Sequence, residues 1–144
     1  LVEERLLHAA QEGLVEALDA IEAKRAIYTP QDHTKATKAN KITEKDLLLD
    51  PASDVQVVHN TIRALSPKPG AYFQVFVRNK PCRLKVLESR VGTGYSESPV
   101  FQMREGRLVL VNRTGELILY TIQPEGKARM SSQEFLRGYP IPTL

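Results

Sequence analysis

The stretch Arg63-Ala-Leu-Ser-Pro-Lys-Pro-Gly-Ala-Tyr72, here called the hinge, divides the chain into two halves of different character. Pro67 and Pro69 each lack a backbone N–H, fix φ and disfavour the helical conformation in the residue before them. Gly70 adds the freedom to turn. A helix that precedes the hinge must therefore end in it. The residues before the hinge show helical or linker patterns, and most residues after it show short strands.

The first 25 residues carry one apolar stripe at helical spacing, made of Leu6, Leu7, Ala10, Leu14, Ala17, Leu18 and Ile21. They predict a helix, which Gly13 would divide into two segments. No capping residue precedes Leu1 and Val2, which favours the end of a longer domain. We therefore expect residues 1–26 to be the terminal helix of a truncated domain. The alternative is an N-terminal helix that packs on its own domain.

Residues 27–41 have no apolar period and are rich in small polar residues, which predicts an extended linker. Lys35, Lys38 and Lys41 recur at every third position, so they would spread positive charge along an extended chain. Such a strip suits a phosphate backbone, although a merely soluble linker would have the same composition.

Two helices are predicted between the linker and the hinge. Thr43 caps a short helical turn, with Asp46 at the third position of a capping box. Either Asp50, or Ser53 with Gln56 three residues on, starts the second helix. The buried stripe of this second helix is predicted to be Val55, Val58, Ile62 and Leu65.

Five short strands separated by turns are predicted after the hinge, at residues 72–77, 82–89, 99–104, 107–112 and 116–123. Asn79-Lys80 is expected to form the first hairpin turn, and residues 90–98 a polar loop. Ser131 or Ser132 caps a last short helix that Gly138 can end.

These elements predict an α+β fold that is mainly β. An N-terminal helix and linker would be followed, over residues 42–144, by a small Greek-key, OB-like β-barrel with flanking short helices. In such a barrel, closure would remove the exposed strand edges.

Positive charge concentrates around the hinge and the first strands. The net charge is +3, but between residues 63 and 90 one acid, Glu88, stands against seven bases: Arg63, Lys68, Arg78, Lys80, Arg83, Lys85 and Arg90. In the second strand Arg83 and Lys85 alternate with apolar residues, so one face is basic and the other apolar. This charge suggests a polyanionic partner. The alternative is a solvated sheet face that lysine and arginine keep soluble.

No catalytic or metal-binding constellation can be assembled from the sequence. His8, His33 and His59 lack the compactly spaced partners of a zinc site, and His59, on a flank of the buried stripe, is expected to be a surface or boundary histidine. Cys82 is the only cysteine, so no internal disulfide is possible. No apolar run approaches the roughly 18 residues that cross a bilayer. We expect a cytoplasmic binding module without membrane contact.

Three motifs in register resemble the C-terminal half of the methionyl-tRNA formyltransferases. They are Ala39-Asn-Lys-Ile-Thr-Glu-Lys-Asp46 followed by Leu49-Asp50, Ile62-Arg-Ala-Leu-Ser-Pro-Lys-Pro-Gly-Ala71, and Ile122-Gln-Pro-Glu-Gly-Lys-Ala-Arg-Met-Ser131 followed by Phe135-Leu136 and Gly138. Their order and spacing agree over residues 39–138, and the first helix resembles the last helical part of that enzyme's catalytic domain. The chain departs from the family at Pro51 and Lys68, where tryptophan is usual.

The resemblance implies an enzyme of translation initiation that transfers the formyl group of 10-formyltetrahydrofolate to the methionyl amine of initiator tRNA. The family's catalytic residues and folate-binding loop belong to an N-terminal Rossmann-like domain. This chain would therefore hold no catalytic residue, cofactor or metal of its own. Its implied partners are the initiator methionyl-tRNA and the N-terminal catalytic domain of the same chain, in a monomeric enzyme.

We predict that this chain holds tRNA through its phosphates, without reading bases. The predicted contacts are Lys35, Lys38, Lys41, Arg63, Lys68, Arg78, Lys80, Arg83, Lys85, Lys127 and Arg129. A second hypothesis is a related formyltransferase or formyltetrahydrofolate hydrolase that acts on a small substrate, and the Gln-Pro-Glu-Gly-Lys stretch with the basic linker favours the tRNA enzyme over it. A third is a free-standing nucleic-acid- or protein-binding barrel, against which the uncapped start argues.

Overall fold

A computed structural model describes residues 2–144, which fall into two compact units. One unit ends at Asn40, and the other is Lys41–Leu144. The identity of the first unit as the end of a catalytic domain stays a prediction. Within the described residues, no helix has the length and apolar content that crossing a membrane requires.

The first unit contains helix α1 (Val2–Glu22) and a 3-10 turn (His33–Lys35). The predicted division of α1 at Gly13 is wrong, because one glycine costs only about 1 kcal/mol relative to alanine and the neighbouring helix formers outweigh it. No residue of α1 is buried, so the predicted apolar stripe is exposed.

The linker is not extended throughout, because a local side-chain contact folds the 3-10 turn within it. The carboxylate of Asp32 accepts hydrogen bonds from the backbone N–H of Thr34 at 3.0 Å and from its hydroxyl at 2.6 Å. Such contacts let Asp start turns inside otherwise extended segments. The hydroxyl contact, and then the backbone one, holds the pKa of Asp32 below its usual value.

The second unit is a curled antiparallel sheet with three short helices. Its strands are β1 (Tyr72–Val77), β2 (Lys80–Gly92), β3 (Val100–Arg104), β4 (Arg107–Asn112), β5 (Gly115–Pro124) and β6 (Met130–Ser131). Its helices are α2 (Glu44–Leu47), α3 (Val55–Leu65) and α4 (Ser132–Gly138). The predicted α+β, mainly β class is confirmed.

The strands lie in the order β1-β2-β5-β4-β3, with β6 paired to β5. Strands β3, β4 and β5 are antiparallel neighbours in sequence order, and β2 lies beside β5, as in a Greek key. The end strands β1 and β3 meet through side chains: the rings of Phe73 and Phe101 are 5.5 Å apart at 82°. The curl therefore brings together two strands that share no backbone ladder within the described sheet.

Short chain segments, rather than barrel closure, cover the outer edge of β1. The N–H of Leu49 donates to the carbonyl of Tyr72 at 2.8 Å. Near the other end of β1, Phe76 and Thr143 exchange two backbone hydrogen bonds of 2.7 and 3.0 Å. These contacts leave fewer backbone N–H and C=O groups of this edge free to pair with another strand.

The cap of helix α3, Asp54, lies one residue after Ser53 and four residues after Asp50, the two predicted caps. The carboxylate of Asp54 accepts from the N–H groups of Gln56 and Val57, at 2.8 and 3.3 Å. Asp50 instead closes the preceding turn by accepting from the N–H of Ala52 at 2.9 Å. The predicted caps at Asp50 and Ser53 are therefore wrong, because only Asp54 lies directly before the first helical turn. The predicted stripe of α3 is confirmed as buried at Val55, Val58, Ile62 and Leu65.

The first hairpin turn lies one residue earlier than predicted. Arg78 and Asn79 are its central residues, with φ of 52° and 60°, and Val77 pairs with Lys80. Two positive φ values in a two-residue turn match the twist of the flanking strands. The predicted loop at residues 90–98 also starts too early, because two register shifts in β2 keep its last residues paired with β5.

Two other predicted caps are confirmed. The carboxylate of Asp46 accepts from the N–H and hydroxyl of Thr43, at 2.7 and 2.8 Å. Ser131, rather than Ser132, caps α4, with Glu134 accepting from its N–H at 2.8 Å. These hydrogen bonds, the backbone one first, hold the pKa of each carboxyl below its usual value.

Candidate nucleic-acid interface

Strand β2 presents basic side chains on one face and apolar side chains on the other, as predicted. Leu84 and Val86 are fully buried in the core. Arg83 is exposed and Lys85 half-buried on the opposite face, because successive strand residues point to opposite sides of a sheet.

Three of the predicted contacts, Arg78, Lys80 and Lys127, line one open groove of about 270 Å³ with Tyr139 and Glu125. Arg78 is held in place: its Nη2 donates to the carbonyl of Gly138 at 2.8 Å, and its guanidinium lies 5.5 Å from the centre of the Tyr139 ring. Within residues 2–144, Lys80 and Lys127 have no side-chain hydrogen bond or ion pair, so both ammonium groups are available to a ligand.

Arg83 and Lys85 line an adjoining groove of about 250 Å³, and both grooves share Pro124 and Glu125. The Nζ of Lys85 donates to the carbonyl of Pro69 in the hinge at 3.0 Å. The hinge therefore fixes Lys85 beside the turn that follows β5. We call the five basic residues of the two grooves the basic face: Arg78, Lys80, Arg83, Lys85 and Lys127.

Two carboxylates reduce the charge of the basic face. Nη1 of Arg83 lies 2.6 Å from Oε1 of Glu44, and the Arg83 guanidinium lies 5.0 Å from the centre of the Tyr72 ring. Glu125 lines both grooves, and its Oε2 accepts from the backbone N–H of Arg83 at 3.4 Å. Five basic groups against two acidic ones still leave a net positive surface.

The other predicted contacts of the second unit lie outside these grooves. Arg63 is in the last turn of α3, Lys68 is in the hinge, Arg129 precedes β6, and Lys41 starts the unit. All four are exposed. Their roles in binding stay predictions.

The two linker lysines of the first unit differ from each other. Lys35 lies in the 3-10 turn, where its Nζ is 3.4 Å from Oδ2 of Asp32, so its charge is partly compensated. Lys38 is exposed and extended. The predicted strip of evenly spaced charge is therefore interrupted at Lys35.

His59, in the middle of α3, is half-buried at the boundary between core and surface, as predicted, with its Nδ1 2.9 Å from Oγ of Ser89. Burial, and to a smaller extent the charge of Arg63, lowers the pKa of His59 below its usual value. The ring is therefore neutral at pH 7. Across the described part of the chain, no three His, Cys, Asp or Glu residues are grouped to hold a metal ion.

Sequence patterns missed the groups that hold the arginines of the basic face. Glu44 and Tyr72 contact Arg83, and Tyr139 contacts Arg78. Each partner is distant in sequence, so no local spacing indicated these contacts.

Residues 41–140 match the family model described as formyl transferase, C-terminal domain. The chain belongs to this family. The grooves of the basic face therefore lie within a formyl transferase C-terminal domain.

Curated relatives extend the similarity to nearly the whole chain. The methionyl-tRNA formyltransferase of Bartonella bacilliformis is 33% identical over 138 residues, which are 96% of this chain and 44% of the relative. The enzyme of the same name from Methylobacterium nodulans is 35% identical over 135 residues, 94% of this chain and 43% of the relative. The resemblance to the C-terminal half of these transferases is thus confirmed. The chain spans less than half the length of either relative.

A solved structure supports the fold alone. HypX from Aquifex aeolicus, in a variant with four alanine substitutions, has a TM-score of 0.62 to this chain. The match covers 88% of this chain and 23% of HypX, at 18% sequence identity. It supports the arrangement of strands and helices described above.

Proposed function

We propose that this chain is the tRNA-binding portion of a cytoplasmic methionyl-tRNA formyltransferase that acts in translation initiation. The observation that carries the proposal is the basic face. Its residues come from the β1–β2 hairpin, the middle of β2 and the segment after β5, and they gather around one turn, residues 124–126.

The chemistry of the basic face suits the phosphate backbone of an RNA. Lys80 and Lys127 offer ammonium groups without a described ion pair, whereas Arg78 and Lys85 are held by carbonyl oxygens that leave their charge intact. Binding of this kind releases counterions and is insensitive to base sequence. A held initiator methionyl-tRNA could then present its acceptor end to the catalytic domain, which lowers the barrier by positioning alone.

The 10-formyltetrahydrofolate that such an enzyme uses does not fit the basic face. Its two grooves, of about 250 and 270 Å³, are smaller than the roughly 300–1,000 Å³ of ordinary ligand sites. The grooves also lie open at the surface, where they could not enclose a folate. We assign no step of formyl transfer to these residues.

The proposal is tested by replacing Arg78, Lys80 and Lys127 together with alanine. The affinity for an initiator tRNA transcript is measured by fluorescence anisotropy between about 50 and 200 mM salt. Each lost phosphate contact reduces the slope of log affinity against log salt by about 0.7 to 0.9, so the triple variant should lose roughly two to three units. Circular dichroism checks that the variant is folded.

The matched control replaces Arg5, Arg25 and Arg113, three exposed arginines outside the basic face, and removes the same charge. We expect its slope to change less than that of the groove variant. Equal losses in both variants would show that net charge, rather than the basic face, holds the RNA.

A related formyltransferase or hydrolase that acts on a small substrate is the second candidate. The pairing of Arg83 with Glu44 favours it, because a surface built for RNA gains nothing from neutralising its own arginine. This candidate predicts that the wild-type chain does not bind tRNA at low salt.

A further inference from the structure

We propose that a second phosphate-binding point lies at the far end of the sheet, in a cavity here called the arginine cavity. It is lined by Gly92, Thr93, Arg104, Glu105, Arg107, Val109, Glu116, Ile118 and Tyr120 and measures about 380 Å³. Its occupant is a phosphodiester of the same RNA, so the inference rests on the proposed function.

The two arginines are brought together by the β3–β4 hairpin. Arg104 and Arg107 are directly paired across the strands, on either side of the turn Glu105-Gly106. Side chains of directly paired residues lie on the same face of a sheet. The guanidinium groups of two residues only three positions apart in sequence therefore share one wall of the cavity.

Arg104 is fixed by a nearly buried carboxylate. Its Nη1 donates to Oε2 of Glu116 at 2.5 Å, and the Glu116 side chain is only 9% exposed. Gly92 makes room for this carboxylate: a Cβ there would lie 2.9 Å from Oε1 of Glu116. The charges of Arg104 and Glu116 thus offset each other in this wall of the cavity.

Arg107 supplies the free charge of the cavity. Its guanidinium is stacked 4.5 Å from the centre of the Tyr120 ring, and the side chain is half-buried. Within residues 2–144 it has no hydrogen bond or ion pair, so its N–H donors are open to a ligand. Tyr120 holds the Arg107 guanidinium in one orientation. The guanidinium therefore loses less conformational entropy when it binds the oxygen atoms of a ligand.

The charges of the lining select the class of ligand. Arg104 is paired with Glu116, whereas Arg107 has no described ion pair; the exposed Glu105 at the turn also lines the cavity. A group with several negative charges would be repelled by both carboxylates. A singly charged phosphodiester matches the one free guanidinium, which can bind two of its oxygens.

On β5, Ile118 of the cavity and Gln123 beside Lys85 are both half-buried between buried neighbours, so the arginine cavity and the basic face lie on the side of the sheet that points away from the core. In the β2–β5 ladder Lys85 pairs with Gln123, and Arg90 pairs with Ile118 of the cavity. Five residues of strand separate the two pairs, or about 17 Å. Arg90 itself is exposed. Protein–nucleic acid interfaces bury roughly 600–2,500 Å² of protein, which requires contacts beyond a single groove.

The experiment compares Arg107→Ala with Arg113→Ala, an exposed arginine on the β4–β5 turn that removes the same charge. Affinity for the initiator tRNA transcript is measured at about 50 and 200 mM salt. Over this range the wild type should lose about threefold more affinity than Arg107→Ala, which corresponds to one phosphate contact. Arg113→Ala should behave as the wild type.

A second measurement uses only the wild-type protein, so it does not depend on whether a variant folds. Wild-type protein is treated with phenylglyoxal, which modifies arginine side chains, with and without the tRNA transcript, and mass spectrometry follows each arginine. We expect tRNA to protect Arg107 and to leave Arg113 reactive.

The outcomes separate the two proposals. If tRNA binds and the basic-face variant weakens it, but Arg107 is unprotected and Arg107→Ala behaves as Arg113→Ala, the arginine cavity is excluded and the proposed function stands. If the wild-type chain does not bind tRNA at low salt, both proposals fail.

Discussion

At the scale of single residues, Arg83 shows how a neighbour changes what a basic side chain can do. Its ion pair with Glu44 joins two half-exposed side chains, 48% and 62% accessible. Exposed ion pairs contribute about 0–1 kcal/mol, because water screens them and both side chains lose freedom. A phosphate can therefore displace Glu44 from Arg83, but its binding is weakened by the cost of breaking the pair.

We expect Glu44→Gln to strengthen tRNA binding by up to about fivefold, the equivalent of about 1 kcal/mol, because Arg83 then has no competing carboxylate. The cap of α2 uses Asp46 and is retained. Anisotropy titrations at low salt measure the effect, with the exposed Glu97→Gln as a charge-matched control. If both variants gain affinity equally, Glu44 has no specific role at Arg83.

At the scale of elements, α3 leads directly into the hinge, whose Pro69 carbonyl accepts a hydrogen bond from Lys85 of the basic face. Its buried stripe packs it against the sheet, and the hydroxyl of Ser66, just after its end, donates to the carbonyl of Leu87 at 2.8 Å. The cap at Asp54 fixes where the helix begins. This single carboxylate satisfies two N–H groups that have no partner within the helix.

We expect Asp54→Ala to lower the free energy of unfolding by about 1 kcal/mol, the usual contribution of a helix cap. Ser53→Ala should cost less, because the Ser53 hydroxyl only donates to the carboxylate of Asp50. Urea unfolding followed by circular dichroism gives both values. A larger loss in Ser53→Ala would mean that the cap lies where the sequence placed it.

At the scale of the whole second unit, the curl of the sheet depends on contact between its two end strands. Phe73 and Phe101 meet edge to face, and both are buried, with 0% and 4% of their surface exposed. Aromatic pairs of this geometry stabilise by about 0.5–1.5 kcal/mol beyond the area they bury. The two rings thus join strands that no ladder connects.

We expect Phe101→Ala to lower the free energy of unfolding by about 3–5 kcal/mol, since it removes a large buried ring and leaves a cavity. Phe101→Leu keeps most of the volume and should cost less. Chemical unfolding of both variants tests this. Similar losses in the two would show that the aromatic contact, rather than packing volume, holds the strands together.

The sequence by itself determined the structural features that arise between residues close to one another along the chain. The stripe of α3, the capping box of α2 and the alternation of β2 follow from helical or strand periodicity and from contacts three residues apart. The end of α3 at the hinge follows from two prolines. Where several capping residues stood together, as between Asp50 and Asp54, local rules could not choose among them.

Only the tertiary structure decided which distant side chains meet. The contact of Glu44 with Arg83 spans 39 positions, and that of Phe73 with Phe101 spans 28. Arg104 and Arg107 are close in sequence, but Tyr120 and Glu116 reach them only because β5 lies beside β4. Such contacts depend on strand order and on the curl of the sheet, which no local spacing encodes, because the pairing of distant strands is settled by the packing of the whole core.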